Sequence, residues 1–157
     1  MKIRLIVALA TTIFLYACSA KLNKSTNANG YLSSDKYGKP MLIGECSRAE
    51  LVKAPFSEWF VKNYNSYAVN DSISTQVKLM LEKKKVVVYL GTWCGDSKRE
   101  VPRMLKVLDA CDLKKSQVKL IMLDNKDSTY KQSPGHEEKG LNIHRVPTFI
   151  IYENEKE

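Results

Sequence analysis

Apolar residues along this chain fall into two patterns. Three short stretches are dominated by apolar, largely β-branched residues: Val86-Val87-Val88-Tyr89-Leu90, Gln117-Val118-Lys119-Leu120-Ile121-Met122-Leu123 and Val146-Pro147-Thr148-Phe149-Ile150-Ile151-Tyr152. Their length and branching predict strands, the first of them buried on both faces. Elsewhere the spacing is helical. Phe56, Trp59, Phe60 and Tyr64 recur at three- and four-residue intervals, which predicts a helix with an aromatic, core-packing face. Ile73, Val77, Met80 and Leu81 mark an amphipathic helix capped by Asp71 or Ser72, with Lys83, Lys84 and Lys85 in its last turn, where cations complement the helix dipole. Lys98 to Ala110 reads as a helix with Val101, Leu105 and Leu108 on one side and Pro102 inside it. Ser47-Arg48-Ala49-Glu50 fits a capping box, and Pro55 suits the first turn of the helix that follows. The polar stretch from Asp124 to Lys139, with Pro134-Gly135 inside it, reads as a loop with about one helical turn. Helices alternating with buried strands predict an α/β domain with a partly parallel sheet.

The start of the chain has another character. Met1 to Arg4 is basic, Leu5 to Ala17 is apolar apart from Thr11 and Thr12, and Leu15-Tyr16-Ala17-Cys18 follows the pattern of a bacterial lipobox. This predicts a lipoprotein signal peptide over residues 1–17, lipidation of Cys18 and a place in the cell envelope, anchored to a membrane and facing the periplasm. Small and polar residues follow, predicting a flexible tether over residues 18–36. The folded domain is then expected over residues 37–157, with a helical extension at 37–85 and the core at 86–157.

Length and composition narrow this further. At 157 residues the chain makes about one domain. A hydrophobic share of 44% and a charged share of 27% exclude collagen, coiled coils and wholesale disorder. The formal net charge is +8, and falls by two with the loss of Lys2 and Arg4. The remaining cations are dispersed rather than gathered into a stripe, so no nucleic-acid partner is expected.

The candidate chemistry lies where the first strand ends. Gly91-Thr92-Trp93-Cys94-Gly95-Asp96-Ser97 makes a turn between strand and helix. A sulfur there meets unpaired backbone N–H groups and the positive end of the helix dipole, and both favour the nucleophilic thiolate. Trp93 offers an apolar platform beside it. His136 and His144 are the only histidines and form no tight ligand pattern with the cysteines, so neither metal nor cofactor is expected. No Gly-rich phosphate loop is present. The peroxiredoxin pattern of Thr and Pro before the cysteine is also missing, since Gly91 and Val87 stand in those places.

Trp93-Cys94-Gly95-Asp96-Ser97 after an apolar strand resembles the WCGPC active site of the thioredoxin family with its last two residues changed. Pro102 stands where that family carries the proline of its active-site helix, and Val146-Pro147-Thr148 is similar to its cis-proline loop. The resemblance covers about Val86 to Tyr152. It implies a three-layer α/β/α sandwich, here with a helical extension before it and ending before the family's last strand and helix, Glu153 to Glu157 reading as a hairpin turn. It implies Cys94 as nucleophile and Ser97 at the resolving position. It also implies substrate contacts from Trp93, Gly95, Asp96, Val146, Pro147 and Thr148.

The departures matter as much as the matches. A dithiol enzyme resolves its mixed disulfide with a second thiol, and the Ser97 hydroxyl cannot. Val88 stands where many thioredoxins have a buried Asp, and Asp96 brings a carboxylate beside the sulfur against the helix dipole. Cys111 lies 17 residues on, about 25 Å along a helix and out of disulfide reach. A Cys46–Cys111 or a Cys46–Cys94 pair is left open. The function expected is thiol–disulfide exchange through one cysteine, with protein thiols or disulfides of the envelope as partners and Ser97 supporting the thiolate. The alternatives are a non-catalytic peptide-binding or thiol-trapping module and, from the similarity of Cys94-Gly95-Asp96-Ser97 to the CGFS motif, a glutaredoxin-like iron–sulfur carrier.

Overall fold

The described residues open with a hairpin in a stretch expected to be tether. Strand β1 (Tyr31–Ser34) pairs antiparallel with β2 (Pro40–Glu45), Tyr31 opposite Ile43 and Ser34 opposite Pro40. Asp35 makes the turn: its buried carboxylate accepts the N–H groups of Tyr37 and Lys39, both at 2.8 Å, and Gly38 takes the left-handed conformation at φ 77°. Order therefore reaches back at least to Gly30, and 37–85 is not purely helical, because β2 joins the sheet. This is the computed structural model of the protein, and it describes residues 30–153 and 156. The expected signal peptide, Cys18 and the expected tether before residue 30 lie outside the described residues.

Three helices follow β2. The first, α1 (Arg48–Leu51), is a single turn behind Ser47, whose side chain makes no capping hydrogen bond; Glu50 pairs with Lys53 instead. Pro55 precedes α2 (Ser57–Ser66) rather than forming its first turn. The cap of α3 (Asp71–Leu81) is Asn70, one residue before the expected Asp71, and its side chain accepts from the Ile73 N–H at 3.2 Å. The buried side of α3 is also rotated from the expected one. Ser74 and Leu81 are buried with Val77 beside them, whereas Ile73 and Met80 are exposed. The helix ends before the lysine run, so Lys84 and Lys85 belong to β3 (Lys84–Leu90), and Lys84 pairs with Glu153 across the sheet at 2.7 Å.

β3 is central. Helix α4 (Gly95–Ala110) returns the chain to β4 (Val118–Met122), which lies parallel to β3. β5 (Thr148–Glu153) runs antiparallel along its other side, from Lys84 opposite Glu153 to Tyr89 opposite Thr148. β2 reaches β4 through Gly44 and Glu45, also antiparallel. The result is a five-stranded mixed sheet in the order β1-β2-β4-β3-β5. After β5, Glu153 and Lys156 exchange backbone hydrogen bonds in an antiparallel bridge.

The two faces of the sheet are covered differently. All four helices feed one core, in which Leu51, Phe60, Leu81, Val101 and Leu105 meet Val86, Val88, Leu90, Leu120 and Met122. Val88 thus stands in apolar surroundings. The aromatic side of α2 packs as expected, with Phe60 and Tyr64 stacked at 6.2 Å. Pro102 is buried inside α4 and has no N–H for the Lys98 carbonyl; Asn63 Nδ2 of α2 donates to that oxygen at 3.2 Å. On the opposite face Tyr89, Ile121, Leu123, Val146 and Ile150 form a second core closed by Trp93, Leu141 and Ile143. Among the described residues no α-helix covers that face, so the expected three layers are met on one side only. The segment after Asp124 is polar and without helical period, and makes one 3-10 turn, Asp127–Thr129. No helix of the described residues is long and apolar enough to cross a membrane.

Candidate functional site

Cys94 is the residue before the first turn of α4, so the helix begins at Gly95, three residues earlier than its apolar spacing implied. The placement follows from the chain on either side. β3 is held between β4 and β5 up to Leu90, and the Cys94 N–H returns to the Gly91 carbonyl at 2.9 Å, closing a tight turn. The Cys94 carbonyl then accepts the Lys98 N–H at 3.0 Å and starts the helix. The first helical N–H groups after Cys94 have no acceptor within the helix, and they open toward the sulfur's end of it.

The sulfur itself faces the loop before β5. The Cys94 thiol donates to the Val146 carbonyl at 3.4 Å. The Val146–Pro147 peptide bond is cis. Pro147 and Thr148 are half-buried, and the Thr148 hydroxyl donates to the Arg145 carbonyl at 2.7 Å. Residues 52 positions apart in sequence are thus brought within contact of one sulfur.

Ser97 is placed differently from the expectation. Its side chain is fully buried and its oxygen accepts the Gly91 N–H at 3.2 Å. It braces the turn before Cys94 rather than bonding to the sulfur. Asp96 is exposed and pairs with Arg99 at 2.8 Å. Gly95 is exposed, with open space where a Cβ would stand.

Trp93 lies across the turn. Its Nε1 donates to the Leu123 carbonyl at 2.8 Å, which ties the indole to the end of β4. A Cβ on Gly91 would come within 2.5 Å of the indole, so the close approach needs glycine there. Tyr130 packs beside the indole with ring centroids 5.9 Å apart. Thr92, buried, accepts the Leu42 N–H at 3.1 Å and ties the turn to β2. Gly91, Thr92 and Tyr130 thus shape the site without being foreseen. Gly91 and Thr92 stand beside the cysteine motif, whereas Tyr130 sits in a polar loop that carries no periodic signal.

The other thiols of the described residues are free and elsewhere. Cys46 and Cys111 are buried in the helical core; Cys46 donates to the Ile43 carbonyl and Cys111 to the Ser74 carbonyl. Burial, with Glu50 and Glu45 nearby, pushes the Cys46 thiol up to about 11. Burial, with Asp112, raises Cys111 as well. Neither the Cys46–Cys111 nor the Cys46–Cys94 pairing is formed. Among the described residues no three His, Cys, Asp or Glu side chains are grouped to hold a metal ion. Comparison of the chain with protein-family models, curated proteins and solved structures finds no match.

Proposed function

We propose that this chain is a thioredoxin-like, single-cysteine protein of the cell envelope that carries out thiol–disulfide exchange through Cys94. The observation that carries the reading is the position of the sulfur, after the end of β3, before the first turn of α4 and 3.4 Å from the Val146 carbonyl. A partner segment lying along Val146 to Thr148 would bring its own sulfur to Cys94. In the exchange the Cys94 thiolate attacks one sulfur of a partner disulfide. A new S–S bond forms, the old one breaks, and the departing thiolate takes up a proton. The Ser97 hydroxyl, set against Gly91, offers no second thiol. The mixed disulfide persists until an external thiol attacks it and restores Cys94.

The same observation favours the second reading, a module that traps thiol partners without turning over. Both are tested by mixing the protein with a neutral peptide disulfide, then adding a small-molecule thiol. Exchange predicts a peptide adduct on Cys94 that the thiol releases, with repeated turnover, and no adduct in Cys94→Ala. An adduct that forms once and does not turn over selects the trapping module. An adduct formed equally by Cys94→Ala overturns both readings. The lipid anchor belongs to the same proposal and rests on the lipobox: acyl labelling should be lost in Cys18→Ala, and its persistence there would remove Cys18 from the reading.

A further inference from the structure

The charged groups around Cys94 are used unequally. The acidic ones are engaged within the chain. Asp96 pairs with Arg99, and Glu100 pairs with Arg99 and with Arg103. Glu137 and Glu138 both turn inward to the buried Ser133 hydroxyl, a neutral partner that holds their carboxylates without neutralising them. Three of the basic ones are not engaged in the same way. Lys98, one helical turn after Cys94, and Arg145, next to Val146, form no ion pair among the described residues. Lys131 donates to the His144 carbonyl and lies 4.9 Å from the centre of the Tyr130 ring, so its charge meets no carboxylate.

A cleft of about 570 Å³ extends from this side, lined by Tyr130, Lys131, Glu138, Asn142, Ile143 and His144 among others. Tyr130 is also the ring against Trp93, and Ile143 packs on the same core as Trp93 and Cys94. Arg145 stands between His144 of the cleft and Val146 at the sulfur. The surface running from sulfur to cleft therefore presents Arg145 and Lys131 outward, on a floor of aromatic and aliphatic groups, with the Glu138 carboxylate turned inward and its side chain only 12% exposed.

Resting on the reading of Cys94 as the exchanging nucleophile, we infer that its partner is an acidic peptide segment, a cysteine flanked by Asp or Glu, selected by Arg145 and Lys131. Such a segment supplies carboxylates to two cations that form no ion pair among the described residues. The like-charged segment would be repelled, so selection works against basic partners as well as for acidic ones.

The test uses three cysteine peptides, flanked by Glu, Gln or Lys and carried as 2-pyridyl disulfides. Cys94 forms an S–S bond to the peptide sulfur, the peptide–pyridyl S–S bond breaks, and pyridine-2-thiolate leaves with the electron pair and takes up a proton. Its release gives the rate. The Glu probe should outrun the Lys probe by about tenfold at ~0.01 M ionic strength, converging near ~1 M, where the Debye length falls to about 3 Å. Arg145→Gln and Lys131→Gln should each reduce the ratio about two- to threefold. Lys115→Gln should leave it unchanged, because Lys115 precedes β4 and so lies at the opposite end of the parallel pair from Cys94. Equal Glu and Lys rates at low salt overturn the inference and leave exchange standing. So does a Lys115→Gln effect as large as that of Arg145→Gln, which would assign the preference to net charge. Release from none of the three probes overturns the reading of Cys94 itself, and this inference with it.

Discussion

A methyl group on Gly91 would lie 2.5 Å from Trp93 Cε2 and 2.7 Å from its Nε1. The indole is a rigid ring held at that same edge, through Nε1, by the Leu123 carbonyl, so it cannot move away from the methyl without losing that hydrogen bond. Gly91→Ala should therefore lift the ring off the turn, break that hydrogen bond and cost about 1–3 kcal/mol in urea denaturation. It should also slow exchange at Cys94, because the turn that sets the sulfur is the one displaced. Unchanged stability together with unchanged Trp fluorescence would show that the contact is not rigid. Ser97 answers a different question at the same turn. Ser97→Ala takes the acceptor from the buried Gly91 N–H, and an unmet buried donor costs about 1–3 kcal/mol. If Ser97 serves the turn, this variant should lose stability while its adduct with a neutral peptide disulfide still forms. A variant of full stability that forms no adduct would place Ser97 with the sulfur instead.

At the scale of elements, the spacing of Val101, Leu105 and Leu108 correctly marked the buried side of α4 but not its start. Gly95, Asp96 and Ser97 are weak helix formers, and what recruits them is the turn closed by Gly91 and Cys94, a contact no periodicity reports. The β1–β2 hairpin escaped for a related reason. Its strands carry Gly and Pro and alternate poorly, while its signal, the Asp35-to-Gly38 turn, is read only when those four residues are taken together. The lysine run misled because cations suit both a helix end and a strand facing Glu153. The loop before β5 is held by polar side chains, and that holding depends on pH. Burial alone would raise the Glu138 carboxyl, but hydrogen bonds from the Ser133 hydroxyl, the Glu138 and Ser133 N–H groups and His136 outweigh it and hold the group below the ordinary carboxylate value. A carboxylate depressed on folding adds stability above its unfolded pKa, about 4.3. That contribution is lost as pH falls through the lower folded value. Thermal melts should therefore show an acid-side loss of stability that Glu138→Gln flattens. A Glu138→Gln profile parallel to wild type below about pH 4 would assign the acid sensitivity to other groups.

At the scale of the molecule, the cysteines divide between two environments. Cys94 opens onto the side of the sheet closed by Trp93, Leu141 and Ile143, while Cys46 and Cys111 are enclosed by the helices on the other. Sequence placed Cys94 because a turn between strand and helix is local, but it could not place Cys46, whose burial arises from β2 joining β4 and from contact with Gly30. This division predicts an order of reactivity. A thiol pushed up to about 11 holds only about one part in ten thousand as thiolate at neutral pH, and burial removes access besides. Iodoacetamide applied to the native protein should therefore label Cys94 and leave Cys46 and Cys111 untouched. With rising urea, Cys46 and Cys111 should become labelled together, at the midpoint where the helical circular dichroism is lost, because both belong to the core that all four helices share. Labelling of Cys46 at lower urea than Cys111 would mean that the β1–β2 hairpin, which covers Cys46 through Gly30 and Glu45, opens independently of the helices. A native Cys94 that resists alkylation while both core thiols react would invert the division, and would remove the accessible nucleophile on which exchange depends.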